Sequence, residues 1–135
     1  MGSKTENMSM TKRLGIWMDH SGAHLMEFSD ESFETKNIES KFTHQEKEES
    51  LSKSENLMHH KEHLLQTEYY YRLGEAMKNY DEVILFGPTD AKVELFNTLK
   101  KDHHFAKIKI EIKEADKMTE NQKQAFVKEH FSKHN

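Results

Sequence analysis

Four large apolar residues follow one another from Val83 to Phe86, and the run stops at Gly87-Pro88. Alternate side chains of a strand point to opposite faces of a sheet, so a strand without polar alternation must be covered on both faces. Only 34% of the 135 residues are hydrophobic, so few segments can supply that cover. The run therefore predicts a buried strand at the centre of the sheet in a layered α/β domain.

Three amphipathic segments are suited to cover such a sheet. The first is predicted as a helix from Lys61 to Asn79, the second follows Pro88, and the third opens with a capping box at Thr119-Glu120-Asn121-Gln122. Each carries apolar residues at three- and four-residue steps, which is the spacing of one helix face. These stripe residues include Leu65, Tyr69, Leu73, Tyr80, Leu95, Phe96, Leu99, Phe126, Val127 and Phe131.

The other strands follow from turn chemistry and alternation. Two short apolar runs flank His20-Ser21-Gly22 and predict an N-terminal β-hairpin, 32–42 reads as an edge strand, and 108–112 alternates isoleucine with charged residues. The predicted order is β-β-β-α-β-α-β-α. We expect a three-layer α/β/α sandwich whose mixed sheet contains the hairpin and two βαβ-type crossovers.

Domain organisation follows from length and composition. A chain of this size fits one domain, which we place at residues 13–135. Residues 1–12 are predicted to be a disordered tail. Residues 43–56 are almost wholly polar and are predicted to form an insertion in the domain.

Composition excludes several classes of function. The chain has no cysteine, which excludes disulfides, thiolate zinc sites and a thiol nucleophile, and favours a reducing cytoplasm. No apolar run approaches the roughly 20 residues of a membrane span. The formal net charge of −4 argues against binding to duplex DNA, which requires a basic face. Nothing in the sequence requires a cofactor, and we expect none.

Two groups of residues are candidates for contacting RNA or a protein partner. Lys100, Lys101 and Lys107 belong to the densest basic cluster of the chain, where they suit either phosphate contacts or the end of a helix in a solvated loop. Tyr70 and Arg72 lie in a helical segment in which Tyr69 belongs to the core stripe, so we expect Tyr70 beside Arg72 to be exposed for stacking on a base or a partner.

Three further groups of residues have weaker signatures. Gly87 and Thr89 lie where a strand ends and a helix begins, which suits either an anion or a simple helix cap. His59 and His63 are four residues apart on a predicted helix, which suits either a divalent metal or a solvated face. Asp19 with His20 and His24 suits either acid–base chemistry or a structural turn. We assign no catalytic residue.

The segment from Tyr80 to Phe131 resembles a known family. Its apolar strand, the Gly87-Pro88 turn, the following helix and short strand, and the Asp116-Lys117 pair resemble the bacterial release-factor-like proteins. These are related to the C-terminal domain of archaeal and eukaryotic peptide-chain release factors and of the ribosome-rescue factor Pelota. The resemblance implies an α/β/α module that binds protein or RNA. Release factors hydrolyse peptidyl-tRNA through a Gly-Gly-Gln loop on another domain, whereas all five glycines here are isolated.

The leading hypothesis is a stand-alone binding domain, and not an enzyme, that associates with ribosomes, RNA or a translation factor in rescue, stalling or dormancy. Two alternatives remain open. A histidine-dependent metal-binding or hydrolytic protein would carry stoichiometric metal when purified without a tag. A structural or oligomeric adaptor would associate with itself and bind neither RNA nor ribosomes.

Overall fold

The computed structural model describes residues 11–28, 33–40 and 55–133. The described elements alternate between strands and helices after an initial run of three strands, as the sequence predicts. In chain order they are β1 (Arg13–Met18), β2 (Gly22–Phe28), β3 (Phe33–Glu39), α1 (Glu55–Met77), β4 (Glu82–Gly87), α2 (Ala91–Leu99), a 3₁₀ turn (His103–Phe105), β5 (Lys109–Glu114) and α3 (Glu120–Lys133).

The five strands form one mixed sheet in the order β3-β2-β1-β4-β5. β1 pairs antiparallel with β2 and parallel with β4, while β4 also pairs parallel with β5. The expectation that the Val83–Phe86 strand occupies the centre is therefore wrong in detail. β4 is interior and covered on both faces. The central strand is β1, because β2 and β3 lie on one side of it and β4 and β5 lie on the other.

The helices cover both faces, which confirms the three-layer α/β/α sandwich. α1 follows β3 and leads to β4, and α2 leads from β4 to β5, so both crossovers run in the same direction across the sheet. Two crossovers of the same hand then place their helices on the same face. Residues of α1 and α2 share one core with alternate residues of β1 and β4, and α3 shares a second core with the other alternate residues.

The capping box at the start of α3 forms as predicted. The Gln122 N–H donates to Thr119 Oγ1 at 3.2 Å, and the Thr119 N–H donates to Gln122 Oε1 at 2.9 Å. These reciprocal bonds satisfy donors that the first turn of a helix otherwise leaves unpaired. The sequence signal thus fixes the position at which α3 begins.

Two segment boundaries differ from the sequence prediction. α1 begins at Glu55 and not at Lys61, so it overlaps the last residues of the predicted polar insertion, and it ends at Met77. Lys12, which was assigned to the tail, hydrogen-bonds through its N–H to Asp81 Oδ2 at 2.9 Å, and its carbonyl accepts from Asp81 and Glu82. The rest of the predicted tail and insertion, 1–10 and 43–54, lies outside the described residues.

No helical stretch in the described ranges combines the length and the apolar character that a membrane span requires.

Candidate functional site

The predicted basic cluster lies where α2 ends and the chain turns back into β5. Lys100, Lys101 and Lys107 are all exposed. Between them, Asp102 caps the 3₁₀ turn by accepting a hydrogen bond from the His104 N–H at 2.9 Å. This short turn keeps the lysines in one loop, on the side of the molecule next to β5.

A groove lies beside this loop, between α2 and β5. It has a volume of about 250 Å³ and is lined by Phe96, Lys100, Asp102, His103, Phe105, Ala106, Ile108 and Ile110. Its apolar part comes from two phenylalanines and two isoleucines that also pack against the core shared with α1 and α2. Its polar lining residues are Lys100, Asp102 and His103, and the exposed Lys101 and Lys107 lie in the adjoining loop. The surface thus offers apolar contact and positive charge side by side.

The sequence predicts the basic cluster but not the groove next to it, and a role of the lysines in binding stays a prediction. The alternating isoleucines at Ile108 and Ile110 were recognised as one face of a strand. Their pairing with Phe96 depends on how α2 lies over that face, which no local pattern encodes. We call the loop lysines Lys100, Lys101 and Lys107, together with this groove, the β5-side surface.

Tyr70 is not part of this surface, and the prediction that its ring is exposed is wrong. Tyr70 is only 7% exposed, whereas Tyr71 is 66% exposed. The Tyr70 hydroxyl donates to Glu94 Oε1 at 2.6 Å. A ring enclosed in this way cannot stack on a base.

Arg72 lies near the opposite edge of the sheet. Its guanidinium donates to the Glu39 carbonyl at the end of β3. β3 and β5 are the two edges of the sheet, so the structure does not bring Arg72 together with the loop lysines. A role for Arg72 in contacting a partner stays a prediction.

Glu94 is the centre of a small polar cluster at the carboxyl ends of β1 and β4. It accepts from Tyr70 and lies 3.2 Å from His20 Nε2. Partial burial opposes ionisation, but the hydrogen bonds from Tyr70 and His20 outweigh it and hold the pKa of Glu94 below its usual range. His20 therefore pairs with a residue of α2 and not with Asp19.

Asp19 has a structural role in the hairpin turn. Its Oδ1 accepts hydrogen bonds from the Ser21 and Gly22 N–H groups at 2.9 and 3.0 Å. His24 lies on the other face of the sheet, where its Nδ1 is 2.6 Å from Glu120 Oε2. The structure thus separates the three residues that sequence reasoning grouped as an acid–base candidate.

The predicted anion site at Gly87 and Thr89 is largely occupied by the chain's own groups. Thr89 Oγ1 accepts from the Ala91 N–H at 3.2 Å, and the Asp90 carbonyl accepts from the N–H groups of Val93 and Glu94. The buried Lys92 donates through Nζ to the Thr89 carbonyl at 2.6 Å. This arrangement fits a helix cap, and anion binding stays a prediction.

Of the predicted metal pair His59 and His63, only the side chain of His63 lies within the described residues. His63 is exposed on α1, and the side chain of His59 lies outside the described residues. Ligand atoms of Asp102, His103 and His104 lie within 4.8 Å of one another in the described part of the chain. The Asp102 carboxylate already accepts from His104 Nδ1 at 2.7 Å, so a structural role in the turn explains this group.

Comparison with solved structures identifies the architecture. The fold matches part of the Pelota protein of Thermoplasma acidophilum, with a TM-score of 0.58 and 14% identity over 87% of this chain and 32% of that one. It also matches Pelota of Archaeoglobus fulgidus, with a TM-score of 0.59 and 10% identity over 95% and 34%. An archaeal translation termination factor matches with a TM-score of 0.53 and 16% identity over 99% and 44%.

This is a release-factor-like fold. The resemblance deduced from the sequence is thereby confirmed at the level of architecture. The chain spans less than half the length of these solved structures, and identities of 10–16% establish the fold alone. No protein-family model and no curated relative matches the sequence.

Proposed function

We propose that this chain is a binding domain that associates with ribosomes or with a translation factor, in rescue, stalling or dormancy, and that it does not hydrolyse peptidyl-tRNA. Membership of the bacterial release-factor-like family is part of the proposal. The β5-side surface is the contact surface in this proposal, with Lys100, Lys101 and Lys107 as its charged residues.

The observation that carries the proposal is the extent of the shared fold. Between 87% and 99% of this chain aligns with a part of Pelota or of the translation termination factor. The match thus extends over nearly the whole of this chain and is larger than a common supersecondary motif. A fold by itself does not determine function, so the proposal needs a surface that suits the role.

The charge distribution supplies such a surface. The chain has a formal net charge of −4, yet exposed lysines cluster in the loop between α2 and β5. A local basic surface on an acidic protein attracts an anionic partner without causing general affinity for nucleic acid. The ribosome presents such anionic surfaces as RNA phosphates and acidic protein segments.

The absence of a Gly-Gly-Gln sequence supports a binding role. The five glycines of the chain are isolated in sequence. His20 Nε2 faces the Glu94 carboxylate, and the hydroxyl of the neighbouring Ser21 donates to Asp19 Oδ1, so His20 and Ser21 do not form a nucleophile–base pair. We therefore expect no release of peptide from ribosomes that carry peptidyl-tRNA.

Co-sedimentation with ribosomes over a series of salt concentrations tests the proposal. Changing Lys100, Lys101 and Lys107 to Glu should abolish co-sedimentation with ribosomes. Circular dichroism should show that this variant is still folded. Removing single lysines should flatten the log–log salt dependence by roughly one unit for each lost phosphate contact. The matched control changes three exposed lysines elsewhere, Lys12, Lys36 and Lys117, to Glu and should still sediment.

Two results would contradict the proposal. The translation assignment fails if the wild-type protein never sediments with ribosomes in extracts of growing or starved cells. The assignment of the surface fails if the control variant loses binding as completely as the variant of the loop lysines.

A further inference from the structure

Strand β5 forms an open edge of the sheet. It pairs with β4, and no strand lies beyond it in the described part of the chain. The Lys109 N–H donates to the Asp81 carbonyl at 3.0 Å, so the peptide groups of Lys109 face β4. Peptide groups alternate in direction along a strand, and those of Ile110 and Ile112 therefore point outward. Outward N–H and C=O groups of this kind can pair with a further strand.

The two faces of this edge differ in chemistry. Ile110 and Ile112 lie opposite Val83 and Leu85 in the sheet, so they share the face covered by α1 and α2. Ile110 also lines the groove of the β5-side surface. Lys109 and Lys113 lie on the other face, and both are exposed. A strand added at this edge would place its alternate side chains against apolar residues on one face and lysines on the other.

We propose that the β5 edge binds an extended peptide segment of a partner protein in which apolar and acidic residues alternate. The segment pairs with the outward N–H and C=O groups of Ile110 and Ile112 and becomes an additional strand of the sheet. This inference rests on the proposed function, for which it names the chemistry of the partner.

Charge complementarity indicates acidic residues on the peptide. Lys109 and Lys113 flank Glu111, whose carboxylate lies 3.6 Å from His130 Nε2 and 3.7 Å from Lys109 Nζ. Glu111 is thus engaged within the domain by Lys109 and His130, and Lys113 adds an exposed positive charge to the same face. Acidic side chains of an added strand would lie directly opposite the lysines, where unlike charges on neighbouring strands stabilise the pairing.

The groove favours a peptide over single-stranded RNA. Bases of single-stranded RNA stack on open aromatic faces. Here Lys100 Nζ lies 5.8 Å from the centroid of the Phe96 ring, and Lys78 Nζ lies 5.8 Å from that of Phe105. Phe105 is also buried. Aliphatic side chains of a peptide can contact Ile108 and Ile110 without requiring an open ring.

Fluorescence anisotropy with labelled synthetic peptides tests the proposal. The probe is a peptide of strictly alternating valine and glutamate. One control has the same composition with the valines and glutamates in separate blocks, and a second has lysine in place of glutamate. We expect both controls to bind at least about tenfold more weakly than the alternating peptide, because each loses apolar contacts or opposite-charge pairs.

Variants of the edge sharpen the test. Lys109→Glu combined with Lys113→Glu should weaken binding of the glutamate peptide by about tenfold and strengthen binding of the lysine peptide. The matched control, Lys36→Glu combined with Lys117→Glu, should change neither. Ile112→Pro removes an N–H that points away from β4, so it should abolish peptide binding while the far-ultraviolet circular dichroism is retained. If that variant does not fold, the charge-reversal pair still decides.

Equal binding of the alternating and block peptides overturns the proposal, and so does unchanged binding after charge reversal. Binding of a uridine homopolymer that charge reversal abolishes, without any peptide binding, identifies an RNA surface instead. These measurements use purified components without ribosomes. A failure here therefore leaves the sedimentation result intact, and a failure to sediment leaves the peptide result intact.

Discussion

At the level of single residues, the turn after β4 depends on Gly87. Its φ is +148°, and a Cβ built there would lie 2.2 Å from the Met18 carbonyl oxygen. Both the backbone conformation and the available space therefore require glycine. The close approach holds the end of β4 against the end of β1, where the hairpin turn with Asp19 begins.

We predict that Gly87→Ala lowers the free energy of unfolding by about 2 kcal/mol or more, because it combines backbone strain with a steric clash. Gly22→Ala is the matched control, since the nearest atoms to its Cβ would lie 3.7 Å away. We expect that change to stay within about 0.5 kcal/mol of the wild type. Urea denaturation measures both, and equal losses would contradict the role assigned to Gly87.

At the level of elements, two phenol groups attach α1 to the rest of the domain. The Tyr69 hydroxyl donates to the Asp19 carbonyl at 2.9 Å, and the Tyr70 hydroxyl donates to Glu94 of α2. The sequence predicted α1 and its stripe through Tyr69. It did not predict the burial of Tyr70, because position 70 lies beside the stripe and not within it. The partner Glu94 lies 24 residues further along the chain, so no local pattern indicates the contact.

Burial and the Glu94 carboxylate raise the pKa of Tyr70, while burial and the hydrogen bond to Glu27 raise the pKa of Tyr80 to about 12. Unfolded phenols titrate near pH 10, at about their reference value. Above that pH the unfolded state releases protons that the folded state retains, so stability falls as the pH rises. Urea midpoints at increasing alkaline pH should show this decline, and Tyr70→Phe should make it shallower. An unchanged slope in the variant would contradict the assignment.

At the level of the whole molecule, β4 serves both cores. Val83 and Leu85 pack under α1 and α2, and Ile84 and Phe86 pack under α3. The apolar run was sufficient to predict cover on both faces and hence three layers. It was not sufficient to predict that β1 lies at the centre, because the choice of neighbouring strands depends on pairing between residues far apart in the chain. The open edge at β5, and with it the groove, follows from the same strand order.

Leu85→Ala should lower the free energy of unfolding by about 2–5 kcal/mol, since the side chain is fully buried. The two cores share β1 and β4, so we expect them to unfold together. The fluorescence of Trp17, which belongs to the core under α3, should change at the same urea concentration as the circular dichroism of the helices. Separate transitions would show that the layers are independent. The control for Leu85→Ala is Lys36→Ala on the exposed edge strand β3, which should change the free energy of unfolding little.

The position of β1 also bears on the order in which the domain can assemble during synthesis. Arg13 is paired with Glu82 in the parallel register, although β1 leaves the ribosome long before β4. In the hairpin of β1 and β2, the side of β1 that pairs with β4 therefore stays unpaired until α1 and β4 have been synthesised. A nascent chain that stalls before residue 82 would hold an apolar hairpin without its partner strand, a state prone to capture by chaperones or by strands of other chains.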